Sequence, residues 1–345
     1  MIVKLADVTE EVKSNNKGDK SGCRIVGLEH LTPSDVTLSN WSEDTNNTFT
    51  KEFAKGDVLF GRRRAYLKKA AYAPFSGICS GDITVIRPKE DKIYPKLLPF
   101  VIQNDYLFDY AVGKSAGSLS PRVKWEHLKR YEFVLPEHGK QIQLANTLWA
   151  INETKNAYKK LINEIDELVK SQFIEWFSNE KNTAELGECA FIEKGKTITR
   201  DNVVEGDIPV VAAGIEPSCY HNESNRSAGI ITVSASGANA GYVNYWNMPI
   251  FASDCNTVLT KDKSKIDEVF LYHRLKTMQE EVFLMQRGSG QPHVYAKDLE
   301  HIIVPIPNMD DQIRFSVFAE ESDKSKFFDV NRNLSRCLAT MIPFD

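Results

Sequence analysis

The sequence has no long apolar run and few cysteines. Nowhere in its 345 residues does it approach the ~18–20 consecutive apolar residues of a membrane helix. The N-terminus, from Met1 to Asp7, lacks the basic-then-apolar pattern of a signal peptide and is typical of a first strand. The six cysteines are scattered without a Cys-x-x-Cys pair, which argues against a structural zinc site and a disulfide framework. We therefore expect a reduced, cytoplasmic protein.

The motifs of common catalytic machinery are also missing. No glycine-rich loop follows a strand to cradle S-adenosylmethionine, and neither an Asn/Asp-Pro-Pro-aromatic motif nor a Gly-x-x-x-x-Gly-Lys-Ser/Thr loop occurs. Cys219 and His221 form the only close Cys/His pair, and two ligands are too few for zinc. No spacing of acidic residues indicates a nuclease. The sequence predicts a non-catalytic chain that needs no cofactor and no metal.

The charge of the chain is unevenly distributed between its halves. The formal net charge is −4, yet residues 1–135 carry 21 Lys and Arg against 17 Asp and Glu. Residues 183–307 carry 11 against 16. Because phosphate neutralisation needs only a local basic patch, this balance permits nucleic-acid binding by the first half and mildly disfavours it in the second. Separately, the length of 345 residues is long for one domain and suits two.

An internal repeat is the strongest signal in the sequence. One block matches at an offset of 171 residues: Gly117/Gly288, Ser118/Ser289, Pro121/Pro292, Val123/Val294, Leu128/Leu299, Pro136/Pro307, Gln141/Gln312, Ile142/Ile313 and Lys155/Lys326. A second block matches at 173: Gly56/Gly229, Ala65/Ala238, Ser80/Ser253, Thr84/Thr257 and Val85/Val258. Since this period is far too long for a solenoid repeat, the pattern indicates a duplicated domain.

Each copy begins with short strands and contains a helical stretch. Runs rich in β-branched residues, bounded by Gly, Asn and Pro, predict strands at 57–61, 82–88, 229–234 and 256–260. Residues 95–110 and 265–287 are predicted to be helical. These elements favour a mixed α/β (α+β) domain in each copy.

A long helix is predicted after each copy. Residues 138–178 contain no proline, and apolar residues recur there at alternating spacings of four and three: Leu144, Leu148, Ile151, Lys155, Tyr158, Ile162, Ile165, Val169, Gln172 and Trp176. A helix of roughly 40 residues rises about 60 Å. After Asp310 a weaker pattern follows at Ile313, Phe315, Phe318, Phe327, Val330, Leu334, Cys337 or Leu338, and Met341, ending at Pro343. Equivalent helices favour an antiparallel, pseudo-twofold pair over a lone helix that exposes its apolar stripe.

This order of elements resembles the specificity subunit of type I restriction–modification systems. The residues that carry the resemblance are Lys55 to Arg64, Ser80 to Pro88, Gly117 to Trp125, Val134 to Glu137 and their second-copy equivalents. The resemblance covers essentially the whole chain, and the paired Gly-Ser-x-x-Pro-Arg/His-Val blocks are its most specific element.

The resemblance implies an architecture and a set of partners. Residues 1–136 and 183–307 would be two target recognition domains, each reading one half of a bipartite, asymmetric double-stranded DNA site. Residues 137–182 and 308–345 would be the long helices of a coiled-coil spacer, on which two modification (methyltransferase) subunits dock. Restriction (nuclease-translocase) subunits complete the complex, and an isolated subunit would be able to self-associate. Two departures from the family pattern are the near absence of a leader and the degraded heptads of the C-terminal helix.

Basic and small polar residues in the loops are the candidate DNA contacts. Five basic residues follow a strand: Arg62, Arg63, Arg64, Lys68 and Lys69. The guanidinium groups of the arginines would pair with guanine or clamp phosphates, although a solvated or acid-paired surface turn is the alternative. The equivalent loop of the second copy offers Ser234, Ser236 and Asn239, for which a turn without function is nearly as favoured. The Gly-Ser loops add Ser118, Ser120, Arg122 and Lys124 in the first copy, and Arg287, Ser289, Gln291, His293 and Tyr295 in the second.

Other residues favour structural interpretations. The aromatic residues are expected to fill cores or the helix seam: Trp125, Phe133, Trp149, Trp176 and Phe191. Lys159 and Lys160 are expected on a solvated face or beside the DNA backbone. Two other functions stay open: a coiled-coil scaffold with two protein-binding lobes, and a self-contained restriction–modification enzyme, for which catalytic motifs are missing.

Overall fold

The structure, a computed structural model, describes residues 1–288 and 290–324 and divides into two compact units. The first unit comprises Met1–Lys159, and the second begins at Lys160. None of the helices in the described ranges is both long enough and apolar enough to span a membrane.

The first unit contains nine short strands and the start of a long helix. Its strands are β1 (Ile2–Lys4), β2 (Thr9–Glu11), β3 (Ile25–Val26), β4 (Lys51–Phe53), β5 (Val58–Gly61), β6 (Ala70–Tyr72), β7 (Gly77–Cys79), β8 (Ile83–Pro88) and β9 (Glu132–Val134). Its helices are α1 (Leu5–Val8), α2 (Leu98–Ile102), α3 (Asp105–Gly113), α4 (Trp125–Leu128) and α5 (His138–Phe177), which continues into the second unit. Short 3₁₀ turns lie at Leu28–His30, Ala65–Leu67 and Pro95–Leu97.

The second unit likewise has nine short strands among its described residues. Its strands are β10 (Thr183–Glu185), β11 (Ala190–Lys194), β12 (Ile208–Val211), β13 (Cys219–His221), β14 (Ile230–Ser234), β15 (Val243–Trp246), β16 (Phe251–Ala252), β17 (Cys255–Thr260) and β18 (Ile303–Pro305). Its helices are α6 (Leu186–Cys189), α7 (Glu268–Thr277), α8 (Gln279–Leu284), α9 (Ala296–Glu300) and α10 (Met309–Lys324). The 3₁₀ turns are Arg200–Asn202 and Gly237–Asn239.

The sheets of the two units correspond. Each unit has a two-stranded sheet (β1-β9 and β10-β18) and a four-stranded sheet (β2-β8-β5-β6 and β11-β17-β14-β15). In the four-stranded sheets Val58 faces Tyr72 and Ile86, and Ile231 faces Tyr245 and Val258 in the same way. The mixed α/β class and the duplication are therefore confirmed.

The third sheet differs between the units. In both, a parallel pair is present, β3 with β7 and β12 with β16. The additional strand joins β7 in the first unit and β12 in the second. The two copies of the duplicated domain have therefore diverged in this third sheet.

The strand registers correct part of the sequence alignment. The backbone N–H groups of Ser80 and Ser253 donate to Val26 and Val211, so these two serines are equivalent. Beyond them the offset is 172 residues, because Ile86 and Val258 occupy the same register position. Gly81 has no counterpart in the second copy. The pairings Thr84/Thr257 and Val85/Val258 at an offset of 173 were therefore wrong by one residue.

Helix α5 agrees with the predicted long helix. All ten predicted seam residues are buried or half-buried. In the first unit Trp149 packs against Phe100 at a centroid distance of 5.2 Å, and its Nε1 donates to the Lys96 carbonyl at 2.8 Å. Trp125 is half-buried and Phe133 is buried, as expected. Phe191 was wrongly expected in a core, because its side chain on β11 is 53% exposed.

A buried glutamine attaches the start of each long helix to its own unit. Gln141 accepts from the Tyr94 N–H at 2.8 Å and donates to the Pro136 carbonyl at 2.9 Å. Gln312 accepts from the Asp267 N–H at 3.0 Å and donates to the Pro307 carbonyl at 2.9 Å. The sequence match between the two glutamines thus reflects a shared structural role.

Within the second unit, the described part of α10 packs against the end of α5. Phe315 contacts Phe173 and Phe177, with ring centroids 5.1 and 5.7 Å apart, and Arg314 lies 5.0 Å from the centroid of Trp176. Glu180, just after α5, and Pro307, just before α10, line the same cavity. Ile313 is 48% exposed and does not join this seam. The predicted seam residues beyond position 324, and Lys326 of the repeat, lie outside the described residues.

The two lysines of α5 differ: Lys160 lies on a solvated face, as expected, whereas Lys159 is half-buried and paired. Lys159 Nζ lies 3.0 Å from the Asp35 carboxylate in the first unit. Lys160 Nζ lies 3.5 Å from Glu164, one turn further along the helix.

Candidate nucleic-acid interface

The two predicted loops of the first unit meet at one surface. We define the first loop pair as residues 62–69, which follow β5, and residues 114–124, which lead to α4. The Arg64 N–H donates to the Pro121 carbonyl at 2.8 Å, and the Val123 N–H donates to the Arg62 carbonyl at 2.9 Å. Arg63 and Arg122 face each other across this short antiparallel bridge. Backbone hydrogen bonds therefore join residues that are about 60 positions apart in sequence.

The second unit repeats this arrangement. We define the second loop pair as residues 235–242 and 286–295, of which Ser289 lies outside the described residues. The Gly237 N–H donates to the Pro292 carbonyl at 2.9 Å, and the Val294 N–H donates to the Ala235 carbonyl at 3.0 Å. Ser236 faces His293 in the bridge. The two loop pairs thus share one backbone hydrogen-bond pattern.

A carboxylate lies under the arginines of the first loop pair. Asp82 accepts from Arg122, with Nε 2.8 Å and Nη2 3.3 Å from its two oxygens, and Arg63 Nη1 lies 3.5 Å away. The Nε of Arg63 also donates to the hydroxyl of Ser120. The hydrogen bond from Arg122, aided by the charges of Arg122 and Arg63, lowers the pKa of Asp82 despite the opposing effect of burial. Asp82 is therefore ionised at neutral pH.

The corresponding carboxylate of the second unit is Asp254. The carbonyl groups of Asp82 and Asp254 accept from the N–H groups of Arg62 and Ala235, at 3.0 and 3.2 Å. The side chain of Asp254 accepts from the hydroxyl of Ser236. The same carboxylate position thus holds arginine in one unit and serine in the other.

Two basic residues of the first loop pair have left-handed backbone conformations. Arg64 has φ 53° and Lys68 has φ 51°, and the equivalent residues of the second unit are Gly237 (φ 75°) and Gly241 (φ 90°). The left-handed region disfavours side chains that carry a Cβ atom, whereas glycine enters it freely. The first unit keeps basic side chains where the shared backbone favours glycine.

The cations of this loop differ in their freedom to bind a ligand. Lys68 pairs with Asp105 at 2.5 Å, and Lys69 donates to the Leu28 carbonyl at 2.8 Å. The Nε of Arg62 is buried without a hydrogen-bond partner among the described residues. Within the same part of the chain, the exposed Arg64 side chain has no hydrogen bond or ion pair.

The Gly-Ser loop of the first unit is open to solvent. Ser118 and Lys124 are exposed, and Ser120 is half-buried against Arg63. Leu119, between the two serines, is 91% exposed. A fully exposed leucine at the tip of a polar loop was missed from the sequence, because the repeat alignment places only Gly290 opposite it.

The predicted residues of the second loop pair fall into two groups. Ser234 and Ser236 are each 4% exposed, so they support the loop from beneath, and Asn239 is half-buried. Gln291 and Tyr295 are exposed, and the ring of Tyr295 stacks on His293 with centroids 6.0 Å apart. Arg287 pairs with Asp298 at 2.6 Å. Fewer free cations are present here than in the first unit.

The Cys219/His221 pair is engaged in the fold. His221 is 6% exposed, and the Val204 N–H donates to its Nδ1 at 3.0 Å. Among the described residues no group of three or more His, Cys, Asp or Glu side chains has the arrangement of a metal site.

Sequence comparison identifies relatives over most of the chain. A family model described as the type I restriction modification DNA specificity domain matches residues 3–167 and 179–319. A Methanocaldococcus jannaschii protein, named as the type I restriction enzyme MjaX specificity subunit, is 21% identical over 90% of this chain and 84% of its own length. A Mycoplasma genitalium protein, named as a type I specificity subunit, is 22% identical over 76% of this chain and 71% of its own length.

A solved structure has the same fold. The crystal structure of a type I restriction–modification S subunit from M. genitalium superposes with a TM-score of 0.61 at 16% identity, covering 100% of this chain and 96% of that one. The family model matches twice, once in each unit, in agreement with the duplicated sheets. The chain therefore belongs to the type I restriction–modification DNA specificity family.

Proposed function

We propose that this chain is the DNA-specificity subunit of a type I restriction–modification complex and reads a bipartite, asymmetric site, one half-site per unit. The observation that carries the proposal is the pair of loops in each unit. They have the same backbone hydrogen bonds but different side chains, Arg63 and Arg122 in the first unit and Ser236 and His293 in the second. A shared framework with divergent side chains is what two different half-sites require.

The first loop pair has the charge for DNA contact. Arg64 is exposed, and Arg63 and Arg122 retain 40% and 44% side-chain exposure beside Asp82. Guanidinium groups bind guanine O6 and N7 or phosphate oxygens with two hydrogen bonds. In the second loop pair Gln291, His293 and Tyr295 would read base edges with fewer ionic contacts. We keep Ser118, Lys124, Asn239 and Ser289 as further candidate contacts.

The chain would act with partner subunits and without chemistry of its own. On the part of α5 that lies in the second unit, three large apolar side chains are exposed: Leu161 (45%), Leu168 (52%) and Ile174 (47%). Leu161 and Leu168 are seven residues apart and therefore lie on one face of the helix. Because two exposed leucines on one face disfavour contact with water, they support docking of a modification (methyltransferase) subunit on this helix. Methyl transfer, nuclease and translocase activity would belong to the modification and restriction subunits, in the cytoplasm where the complex meets DNA.

Selection from random DNA tests the proposal. The chain would be assembled with the methyltransferase subunits of its own system, and bound duplexes would be recovered and sequenced over several rounds. We expect enrichment of two short sequences separated by a fixed gap. A pool without any enriched sequence would contradict DNA readout and would favour the alternative, a coiled-coil scaffold with two protein-binding lobes. The comparisons give no support to that alternative.

Docking on α5 needs a separate measurement. We expect the double variant Leu161→Asp/Leu168→Asp to lose most co-purification with the methyltransferase subunits, since each change places a charge in an apolar contact. As a control, the double variant Glu164→Asp/Glu167→Asp changes two exposed neighbours on α5 without altering the charge. It should leave co-purification unchanged. Full retention of the methyltransferase by the leucine variant would show that this face is not the docking surface.

A further inference from the structure

We propose that Asp82 is a positioning residue for DNA readout, which holds Arg63 and Arg122 in the orientation that distinguishes bases in the first half-site. The inference rests on the proposed function and deepens it. Neither aspartate at this position, Asp82 nor Asp254, is among the site residues predicted from the sequence.

The main chain of Asp82 is fixed relative to the loop. Its carbonyl accepts from the Arg62 N–H at 3.0 Å, and its own N–H donates to the Ser80 hydroxyl at 3.2 Å. Residue Ile83, directly after it, is fully buried at the start of β8. The carboxylate is therefore presented from a rigid strand end, which suits a group that must orient others.

The contacts of Asp82 immobilise two guanidinium groups at once. Arg122 approaches with Nε and Nη2, one on each carboxylate oxygen, at 2.8 and 3.3 Å. Such a two-point contact fixes the plane of the guanidinium and leaves its remaining N–H groups for a ligand. Arg63 is held at 3.5 Å from the same carboxylate and by the Ser120 hydroxyl. Both side chains are thus ordered before DNA arrives, which lowers the entropic cost of a directional contact.

The charge of the carboxylate also matters. A free arginine beside DNA binds phosphates of any sequence, and this binding is sequence-independent. An ionised Asp between two arginines reduces the local positive charge and repels phosphate. The arrangement therefore weakens non-specific attraction while it strengthens geometric selection of a base edge.

Asp254 provides a matched control. It occupies the same backbone position, yet it accepts from the buried hydroxyl of Ser236 and, within residues 1–288 and 290–324, pairs with no arginine. Asp82→Asn and Asp254→Asn each remove one negative charge with little change in shape. Only Asp82→Asn breaks a clamp on guanidinium groups.

The experiment compares base discrimination in each half-site. Complexes of each variant with the methyltransferase subunits would be titrated against the selected site, against the site with the first or second half-site scrambled, and against unrelated DNA. We expect Asp82→Asn to lower discrimination at the first half-site about tenfold while unrelated DNA binds equally or more tightly. Asp254→Asn should change discrimination at either half-site by less than about twofold.

The outcomes separate the inference from the proposed function. If the unchanged complex selects no site, the proposed function fails. If it selects a two-part site and Asp82→Asn discriminates as well as the unchanged chain, the positioning role alone fails. Equal losses of base discrimination in Asp82→Asn and Asp254→Asn would mean that the removed negative charge, and not the clamp, causes the effect. Loss of binding to all DNA would indicate that Asp82 has a purely structural role. Arg122→Lys, which keeps the charge but loses two-point contact, should reproduce the loss at the first half-site even if Asp82→Asn folds poorly.

Discussion

The two units present different chemistry on the same loop backbone. In the first, left-handed positions carry Arg64 and Lys68, and a carboxylate clamps arginines. In the second, the same positions are Gly237 and Gly241, and the carboxylate holds a serine. A side chain in the left-handed region costs about 1–2 kcal/mol. The first unit therefore retains basic side chains against a conformational cost, which fits selection for binding rather than for stability.

The largest difference between equivalent positions is expected at the starts of the long helices. Phe315 of α10 is fully buried against Phe173 and Phe270, whereas its counterpart Leu144 of α5 is half-buried. Phe315→Ala should lower the free energy of unfolding by about 3–5 kcal/mol, and Leu144→Ala by roughly half as much. Urea denaturation followed by circular dichroism would measure both. Equal losses would mean that the two helices are anchored by equivalent packing.

The next effect concerns the DNA half-sites. Arg62→Ala with Arg64→Ala should weaken binding to the first half-site by at least about tenfold, since each specific arginine contact contributes about 1–3 kcal/mol. Binding contributed by the second half-site should not change. Electrophoretic titrations on sites with one half scrambled would measure the two separately. Equal weakening at both halves would refute the assignment of one unit to one half-site.

A smaller effect should separate stability from affinity. Arg64→Gly should raise the free energy of unfolding by about 0.5–1 kcal/mol, because strain relief exceeds the added freedom of the unfolded chain. It should also weaken DNA binding at low salt. The reciprocal variant Gly237→Arg should show the opposite signs, and an added Cβ at Gly237 meets no atom within 4 Å. A destabilised Arg64→Gly chain would contradict the strain assigned to this position.

The smallest expected effect is the pH dependence that Asp82 contributes to the stability of the first unit. Because the pKa of Asp82 lies below the ordinary value of 3.8, its ionised clamp stabilises the fold at neutral pH. That stabilisation is lost as the pH falls below 3.8 and through the lowered pKa. The free energies of unfolding of the unchanged chain and of Asp82→Asn, measured from pH 6 to pH 2.5, should therefore converge at the acid end. Parallel curves throughout would show that the clamp does not contribute.

The sequence predicted the features that depend on periodicity and repetition. The duplication, the four strands named in advance and helix α5 all follow from local patterns repeated over many residues. The offset after Ser80 was missed because Gly81 is a single insertion that only strand register reveals. Ile313 and Phe191 were misassigned because the apolar character of a residue does not by itself show whether it lies on the buried or the exposed face of its element.

The sequence identified the candidate loops, but it did not show which of their residues contact one another or which are buried. That residues 62–64 contact residues 121–123 depends on tertiary backbone pairing between distant segments. The burial of Ser234 and Ser236 follows from the strand end on which they lie, and the sequence gives them the same polar character as exposed serines. The role of Asp82 emerges only when Arg122, 40 residues away, is brought to it.

Helix α5 carries a natural optical reporter for each unit. Trp149 lies among Phe100, Tyr72 and the Lys96 carbonyl in the first unit, and Trp176 lies among Phe315, Phe318 and Arg314 in the second. Indole emission depends on the polarity around the ring, so unfolding of either unit would alter the fluorescence of the α5 tryptophan that it contains. The fluorescence lost in Trp149→Phe or in Trp176→Phe, relative to the unchanged chain, isolates one indole from the others. Melts followed by these two differences would show whether the two parts of α5 unfold together or separately.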